Sequence, residues 1–358
     1  METLWFIILA CMLTIYIVMD GFDFGAGIID LFVAKGEQEK KLVLRSIGPF
    51  WDGNEVWLIA GGGVLFFAFP LLYAVSFSGF YLALMLVLWL FILRGISLEL
   101  RNHFNNEMWK GFFDVVFGIA SLLLALFFGA ALGNVVRGVN LGGVVNGVSQ
   151  LEPTYFFTPL WTNFLPGKNP GVLDWFTVIM GLIGVLTLAI HGGNWIILKS
   201  ADPIHERIRQ FIKYVWAALV ALVVISIISI AFIRVSLFDN YLSNKFLFII
   251  PLIGFIALLS IPFFINRKNE VKPFIASTVF IVAMLVSTAI GLYPTLLPST
   301  NAVNADITIY NSANTAYGLN VAIKWWIIAI ILAIGYFIYT HRIFKGKIGH
   351  DENVYEEH

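Results

Sequence analysis

The sequence predicts an all-α, polytopic membrane protein, and three observations support this fold class. Hydrophobic residues make up 59% of the 358 residues and charged residues only 12%, whereas soluble domains carry about 25% charged residues. Apolar segments of about 20 residues, each long enough to cross the hydrocarbon core, recur along the whole chain. Basic residues are also concentrated in alternate loops between these segments, as in multi-pass proteins.

The hydropathy pattern predicts about nine transmembrane helices within a single integral membrane domain, residues 1–358. The second helix is the least regular, since it contains glycines at 61–63 and Pro70 and is joined to the third by only the short link SFS. The predicted helices cover residues 4–33, 55–75, 78–100, 112–136, 172–198, 212–236, 246–265, 274–293 and 321–341.

The distribution of Lys and Arg supports this number of helices and predicts their orientation. With nine helices, 16 basic residues lie on the side of the C-terminus and 5 on the other side, and the remaining one, Arg94, lies inside the third helix. The positive-inside rule then places the N-terminus outside and the C-terminus in the cytoplasm. Eight helices would remove the asymmetry.

Two long loops are predicted on the extracytoplasmic side, at residues 137–171 and 294–320. Both are low in charge and contain aromatic residues, so we expect them to fold against the membrane rim. The N-terminal segment has no basic region ahead of its apolar run and is expected to remain as a membrane anchor. Cys11, the single cysteine, excludes an internal disulfide, and a net charge of zero gives no indication of nucleic-acid binding.

The first predicted helix contains unexpected acids. Asp20 and Asp23 share one helix face, and Gly21 and Gly25 beside them would allow another helix to approach closely. Asp23 lies about 18 Å of helix from Lys35, near the middle of the membrane, where a charged aspartate costs about 2.5–3.5 kcal/mol on insertion scales. Two interpretations stay open: interhelical hydrogen bonds that fix packing, or a path for protons or cations. Asp30, nearer the surface, is expected at a solvated helix end.

The segment WDGNEVWL begins the second helix and carries two further acids, Asp52 and Glu55. Their spacing fits a capping box, in which each side chain binds the backbone N–H of the other. However, Trp51 and Trp57 flank them and indicate a position at or below the membrane interface, which a cap alone does not require. Both interpretations remain.

Arg94 and His191 are the remaining intramembrane groups of interest. A buried arginine needs an anion, and the candidates are a carboxylate of this chain or an acidic group of another molecule: Asp20, Asp23, Asp52, Glu55, Glu99, a haem propionate or a phosphate. His191 is the one histidine predicted inside the membrane, which makes paired axial haem ligation difficult. We expect it to be a hydrogen-bonded packing residue. No metal-ligand cluster is evident.

Four segments resemble subunit II of cytochrome bd-type quinol oxidases, and the nine-helix plan fits along essentially the whole chain. The block WDGNEVWL together with the upstream DGFDFG is the most specific part of the resemblance, while the central and C-terminal helices match mainly by hydropathy. The four segments are MDGFDFGAG at 19–27, IGPFWDGNEVWLIAGGGVLFFAFPLLYA at 47–74, FSGFYLALMLVLWLFILRG at 77–95 and PSTNAVNADITIYNSA at 298–313.

The resemblance implies two four-helix bundles plus one peripheral helix, in the bacterial cytoplasmic (inner) membrane. It implies a partner, subunit I, that carries two b-type haems and one d-type haem, or a b-type haem in its place, and also the quinol site. The complex would oxidise quinol and reduce O₂ to water with cytoplasmic protons. This chain would bind no haem firmly and would not be catalytic alone. The resemblance also allows for small single-helix subunits and for a structural quinone or lipid.

The resemblance implies residue roles as well. Asp23 and Asp52 match acids associated with a proton route, to which Asp20 and Glu55 are added as candidates from the residue pattern. Arg94 matches an arginine directed toward the haem region at the subunit interface, and Trp57 matches a tryptophan near an oxygen entry. The alternatives are an ion-coupled secondary transporter that uses Asp20 and Asp23, or a purely structural subunit.

Overall fold

The computed structural model describes residues 1–142, 144–145, 148–149, 158–200, 204–301 and 305–348. Within these residues the chain is almost entirely helical, which confirms the predicted fold class. The helices are α1 Glu2–Phe32, α2 Gly36–Ile47, α3 Trp51–Ala68, α4 Pro70–Gly79, α5 Tyr81–Leu100, α6 Glu107–Arg137, α7 Trp175–Lys199, α8 His205–Ile233, α9 Asp239–Ser243, α10 Ile249–Asn266, α11 Val271–Leu292 and α12 Ala316–Ile343. Two small antiparallel hairpins are formed by β1 Val144–Val145 with β2 Val148–Ser149, and by β3 Thr295–Leu297 with β4 Ile307–Thr308.

Eight helices of the described part are long and apolar enough to cross a membrane, and α3 with α4 brings the number to nine if the pair counts as one crossing. The prediction of one continuous helix over 55–75 is wrong, because α3 and α4 meet at an angle of 118°. Pro70 explains the break: its ring has no N–H and clashes with the preceding turn. It also disfavours helical geometry at the residue before it, and Phe69 has φ −133° and ψ 65°.

The loop before α12 provides hydrogen-bond donors at this break. The backbone N–H of Asn314 donates to the carbonyl of Ala68 at 2.9 Å, and its side-chain amide donates to the carbonyl of Phe67 at 3.0 Å. These carbonyls end α3 and have no partner in their own helix. The second long loop therefore stabilises the end of α3, far away in the sequence.

The core forms where α1 meets α6 and α7 at very short range. A Cβ atom at Gly25 would lie 2.0 Å from the carbonyl oxygen of Leu188, and one at Gly192 would lie 2.3 Å from the carbonyl carbon of Gly25. Only hydrogen fits between these backbones, so glycine is required on both helices. The predicted close approach at Gly25 is confirmed, and the partner helix is α7.

Helices α1, α6 and α7 form the centre of the fold and pack extensively against one another. On one side α3 packs on α1 and α5 on α6, and on the other side α8 packs on α7 and α10 on α11. The division into two four-helix bundles stays a prediction, because α7 contacts α1 and α6 more extensively than α3 and α5 do. The last long helix, α12, is peripheral: none of its 18 most apolar residues is buried. The ring of Phe337 in α12 packs 5.1 Å from that of Trp57 in α3.

Helix α2 was not predicted, because it is short and rich in charge. It is amphipathic and buries Leu42, Val43, Leu44 and Ile47 beneath the end of α1. The described parts of the two predicted loops bind each other, as Val139 and Pro298 share a hydrogen bond of 3.0 Å. Residues 143, 146–147, 150–157 and 302–304 of these loops, and His350 and His358 of the tail, lie outside the described residues.

Candidate functional site

Five polar residues form one buried cluster, here called the Arg94 cluster: Asp20 and Asp23 of α1, Asn54 and Glu55 of α3, and Arg94 of α5. The guanidinium of Arg94 is fully buried and binds two carboxylates at once. Its Nη2 donates to Oδ1 of Asp20 at 2.8 Å, and its Nη1 donates to Oε1 of Glu55 at 2.8 Å. Arg94 therefore joins three helices at one point.

Asp23 is held differently. Its Oδ2 lies 3.8 Å from Nη2 of Arg94, beyond hydrogen-bond distance, and accepts a bond of 2.8 Å from the side-chain amide of Asn54. That amide also donates to the carbonyl of Met19 at 3.1 Å. Oδ1 of Asp23 and Oδ2 of Asp20 have no hydrogen-bond partner within 3.5 Å among the described residues, although Asp20 lies close enough to Asp23 and to the hydroxyl of Tyr16 to interact with both.

The charges of the Arg94 cluster do not balance. Three carboxyl groups face one guanidinium, and Asp20, Asp23 and Arg94 are all 0% exposed. A buried ion without a compensating charge is strongly disfavoured, so such a group takes up a proton. Glu55 keeps 27% of its side chain exposed and connects the cluster to the surface. The arrangement can thus hold at least one exchangeable proton.

The structure does not bring Asp52 or Trp57 into direct contact with Arg94. Asp52 is exposed in the first turn of α3 and is close enough to Glu55 to interact electrostatically. The capping-box interpretation is wrong, because the helix is preceded by Phe50 and has no side-chain cap. Trp57 is buried and packs against Phe337 of α12.

His191 is a packing residue, as predicted. Its Nδ1 is 2.8 Å from the hydroxyl of Ser277, and its Nε2 is 3.0 Å from the carbonyl of Val18. The ring stacks on Phe274 with centroids 4.7 Å apart. Both ring nitrogens are therefore engaged by groups of this chain. In the part of the chain that the structure covers, no group of His, Cys, Asp or Glu residues is placed to hold a metal ion.

The prediction that Asp30 lies at a solvated helix end is wrong. Its side chain is only 1% exposed, because α2 and α6 pack over this end of α1. Neither carboxyl oxygen has a hydrogen-bond partner among the described residues.

A second set of charged residues near Asp30 was missed by sequence reasoning. This Asp114 cluster consists of Glu37, Lys40, Arg101 and Asp114. Lys40 binds Asp114 at 3.0 Å, Arg101 binds Asp114 through its Nε, and Arg101 also binds Glu37 at 2.8 Å. Asp114 could have been noticed in the sequence, because it lies inside the predicted helix 112–136. Asn54 of the Arg94 cluster was also missed, although it lies inside the WDGNEVWL block.

Comparison with known protein families shows which family this chain belongs to. The family model described as cytochrome bd terminal oxidase subunit II matches residues 1–344. The chain belongs to the cytochrome bd oxidase subunit II family. It is therefore a subunit of a respiratory terminal oxidase, and the prediction that it is part of a quinol oxidase complex is confirmed. Such a complex includes a partner, subunit I, which carries the haems.

Curated relatives agree over nearly the full length. The chain is 27% identical to "Probable cytochrome oxidase subunit 2" of Haemophilus influenzae, over 96% of this chain and 94% of that one. It is 26% identical to "Cytochrome bd-I ubiquinol oxidase subunit 2" of Escherichia coli, over 94% and 91% respectively. For "Cytochrome bd ubiquinol oxidase subunit 2" of Bacillus subtilis the identity is 24%, over 98% of both chains.

The fold is also found in a solved structure. A chain of the bd oxidase from Geobacillus thermodenitrificans superposes with a TM-score of 0.65, covering 96% of this chain and 98% of that chain. The sequence identity is 10%, so this likeness concerns the fold alone.

Proposed function

We propose that this subunit II supplies cytoplasmic protons to the haem-bearing subunit I through the Arg94 cluster. Asp52 and Glu55 collect protons at the surface, and Asp23 passes them inward. The observation that carries the proposal is the unbalanced charge of the cluster, in which Asp20, Asp23 and Glu55 share one guanidinium. A carboxyl group that is buried without its own cation can take up and release a proton.

The two aspartates of α1 have different roles in this proposal. Asp20 binds Arg94 directly at 2.8 Å, so it fixes the cation in place. Asp23 is bound by the neutral amide of Asn54 and keeps one free oxygen. Asp23 is therefore the exchanging group, and Asp20 is its support.

Two further roles accompany the proton route. Arg94 supports the haem region at the interface with subunit I, by holding α1, α3 and α5 in one arrangement. Trp57 lines a path for O₂ between α3 and α12, where its indole packs on Phe337. The hydrogen-bond partners of Arg94 lie within this chain. Arg94 therefore acts on the haem region by holding these helices in position.

The setting is a bacterial cytoplasmic membrane, with the N-terminus outside and the C-terminus inside. The complex oxidises quinol and reduces O₂ to water in subunit I, with two b-type haems and a d-type haem, or a third b-type haem in its place. Because protons for water are taken from the cytoplasm through this chain, the reaction separates charge across the membrane. Small single-helix subunits and a structural quinone or lipid complete the proposed assembly.

The test is Asp23→Asn in the intact complex. The amide keeps the shape and can still bond to Asn54, so we expect normal assembly and normal haem spectra. Quinol-dependent O₂ consumption should fall by about tenfold or more, as expected when a proton-transfer group is lost.

Asp239→Asn provides a matched control, because Asp239 is exposed on α9 and lies outside both clusters. Its turnover should equal that of the parent. A parent rate for Asp23→Asn, in complexes with full haem content, would exclude the relay and favour a purely structural role. The transporter alternative has no observation in its favour, since the chain belongs to an oxidase family.

A further inference from the structure

Helices α1 and α6 carry matching polar stripes along their contact. On α1, Asp23, Gly27 and Asp30 follow at spacings of four and three residues, and on α6 Asp114, Gly118 and Ser121 repeat the same spacings. Residues at these spacings share one helix face. Each stripe covers about 10 Å of helix.

The two stripes face each other in antiparallel order. A Cβ at Gly27 would lie 2.2 Å from Oγ of Ser121, and a Cβ at Gly118 would lie 2.7 Å from Cβ of Leu31. Asp30, one turn further along α1, interacts electrostatically with Asp114. Asp114, Asp30 and Ser121 therefore lie along this contact, which we call the α1–α6 seam, and Asp23 lies one helical turn beyond Gly27 on α1.

Polar atoms of the seam are buried and unsatisfied. Both carboxyl oxygens of Asp30, the hydroxyl of Ser121 and Oδ1 of Asp23 lack hydrogen-bond partners among the described residues. Leaving a buried polar group unpaired is unfavourable, because the group loses its hydrogen bonds to water without replacement. Helix packing alone would be better served by apolar side chains at these positions, so the seam indicates a function that needs polar atoms.

Asp30 also has no cation of its own. The two cations that act on it over distance are Lys40 and Arg101, and both are bound to Asp114. No ion pair of the described residues includes Asp30. A buried carboxyl in this position holds a proton, or exchanges it with a neighbour, more readily than it holds a charge.

The seam opens to the surface at the Asp114 cluster. Glu37 is 31% and Lys40 24% exposed by side chain, while Asp114 is only 4% exposed. Glu37 also lines a surface cavity of about 310 Å³ at the start of α2. A proton can therefore reach Asp114 and Asp30 without passing Asp52 or Glu55.

We propose that Asp30 and Ser121 form a second proton branch, which runs along the α1–α6 seam from the Asp114 cluster to Asp23. This inference rests on the proposed function, because both branches end at Asp23. Asp30 takes up one proton from the cytoplasmic side and releases one toward Ser121 and Asp23. After each transfer Asp30 is therefore back in its initial protonation state. The electrons for O₂ reduction come from quinol and do not enter this chain.

The experiment compares turnover of the purified, reconstituted complex in Asp30→Asn, Asp52→Asn and the double variant. With two parallel branches, each single change leaves the other branch open, and we expect a loss of about twofold to threefold. The turnover of the double variant should be lower than the product of the two single effects predicts, by a further factor of about ten or more, since interacting sites are not additive.

A second variant guards against a folding defect. Ser121→Ala removes only the unpaired hydroxyl and should reproduce the effect of Asp30→Asn in the Asp52→Asn background. Ser229→Ala is the matched control, because this buried hydroxyl of α8 bonds to the carbonyl of Ile225 and is remote from the seam. Haem content and complex size are measured for every variant.

The outcomes separate this inference from the proposed function. If Asp23→Asn is slow but Asp30→Asn and Ser121→Ala leave the Asp52→Asn rate unchanged, the second branch is refuted and the relay stands. If Asp23→Asn turns over at the parent rate, the relay itself fails. A slow Asp30→Asn beside a normal Asp23→Asn would also overturn the branch, because the two residues would not share a route.

Discussion

At the scale of single residues, the chain concentrates its buried charge on a few side chains that bind several partners. Arg94 is the clearest example: it binds Asp20 and Glu55, and its guanidinium also lies 4.6 Å from the ring centre of Phe24. Its Nε has no hydrogen-bond partner among the described residues. One cation thus fixes three helices while leaving Asp23 only loosely bound.

This arrangement predicts the effect of removing the cation. In Arg94→Ala, the buried acids lose their common partner, and breaking such a pair from one side costs about 3–5 kcal/mol. We expect a lower melting temperature of the complex and a loss of haem during purification. Thermal unfolding and haem absorption spectra measure both effects.

Arg342→Ala is the control, since Arg342 is exposed near the end of α12. It should have parent stability and haem content. An Arg94→Ala complex that retains all its haem and its melting temperature would show that the acids of the cluster are neutral without the cation.

At the scale of helices, glycine decides which elements can meet and proline decides where one must end. Gly25 and Gly192 bring α1 and α7 into backbone contact, and Gly27 leaves room on α1 for the side chain of Ser121 of α6. Pro70 ends the straight run of α3, and Asn314 satisfies the carbonyls that the break exposes. These residues set the positions from which the side chains of the Arg94 cluster converge.

The α1–α7 contact predicts that alanine substitutions at two glycines, Gly192 and Gly62, have different effects on stability. Gly192→Ala places a methyl group 2.3 Å from the backbone of Gly25, so the helices must separate, and overpacking of this kind typically costs about 1–3 kcal/mol or more. The Arg94 cluster would move with α1. We expect a reduced yield of intact complex and a lower melting temperature by size-exclusion chromatography and thermal unfolding.

Gly62→Ala is the matched change in α3, where a Cβ would meet no atom within 4 Å. It should be neutral or slightly stabilising, because alanine favours helix over glycine by about 0.5–1 kcal/mol. Equal effects of the two substitutions would contradict the close contact between α1 and α7.

At the scale of the whole molecule, the two polar clusters lie along the same half of α1. The Asp114 cluster covers its C-terminal end, and the Arg94 cluster lies two to three turns further into the helix. The charge asymmetry of the loops predicts that this end faces the cytoplasm. The proposed direction of proton flow depends on that orientation.

Cysteine labelling tests the orientation, because Cys11 is the single native cysteine. In a Cys11→Ser background, we would introduce Lys168→Cys before α7 or Lys272→Cys in α11, since both lysines are exposed. A membrane-impermeant thiol reagent should label Lys168→Cys in intact cells and Lys272→Cys only in inverted vesicles. The Cys11→Ser protein alone is the blank, and the reverse pattern would place the N-terminus in the cytoplasm.

Much of the site could be predicted from the sequence, and the residues that could not be predicted were missed for a common reason. Asp20, Asp23, Glu55 and Arg94 stand out because a charge inside an apolar segment is unusual, and the structure brings all four together. Asp30 was misjudged because its burial depends on α2, a short charged helix without a hydropathy signal. Ser121 gave no signal at all, since a serine is ordinary in a membrane helix until its hydroxyl is found unpaired.

The sequence alone determined the all-α membrane fold, the family and the intramembrane acids, because these depend on local composition and on charges that are costly in hydrocarbon. The tertiary structure alone decided which acid binds Arg94, where α3 breaks and which residues face one another across the α1–α6 seam. These features depend on distances between helices that are remote in the chain. Such distances are set by packing at a few glycines, and no single segment contains that information.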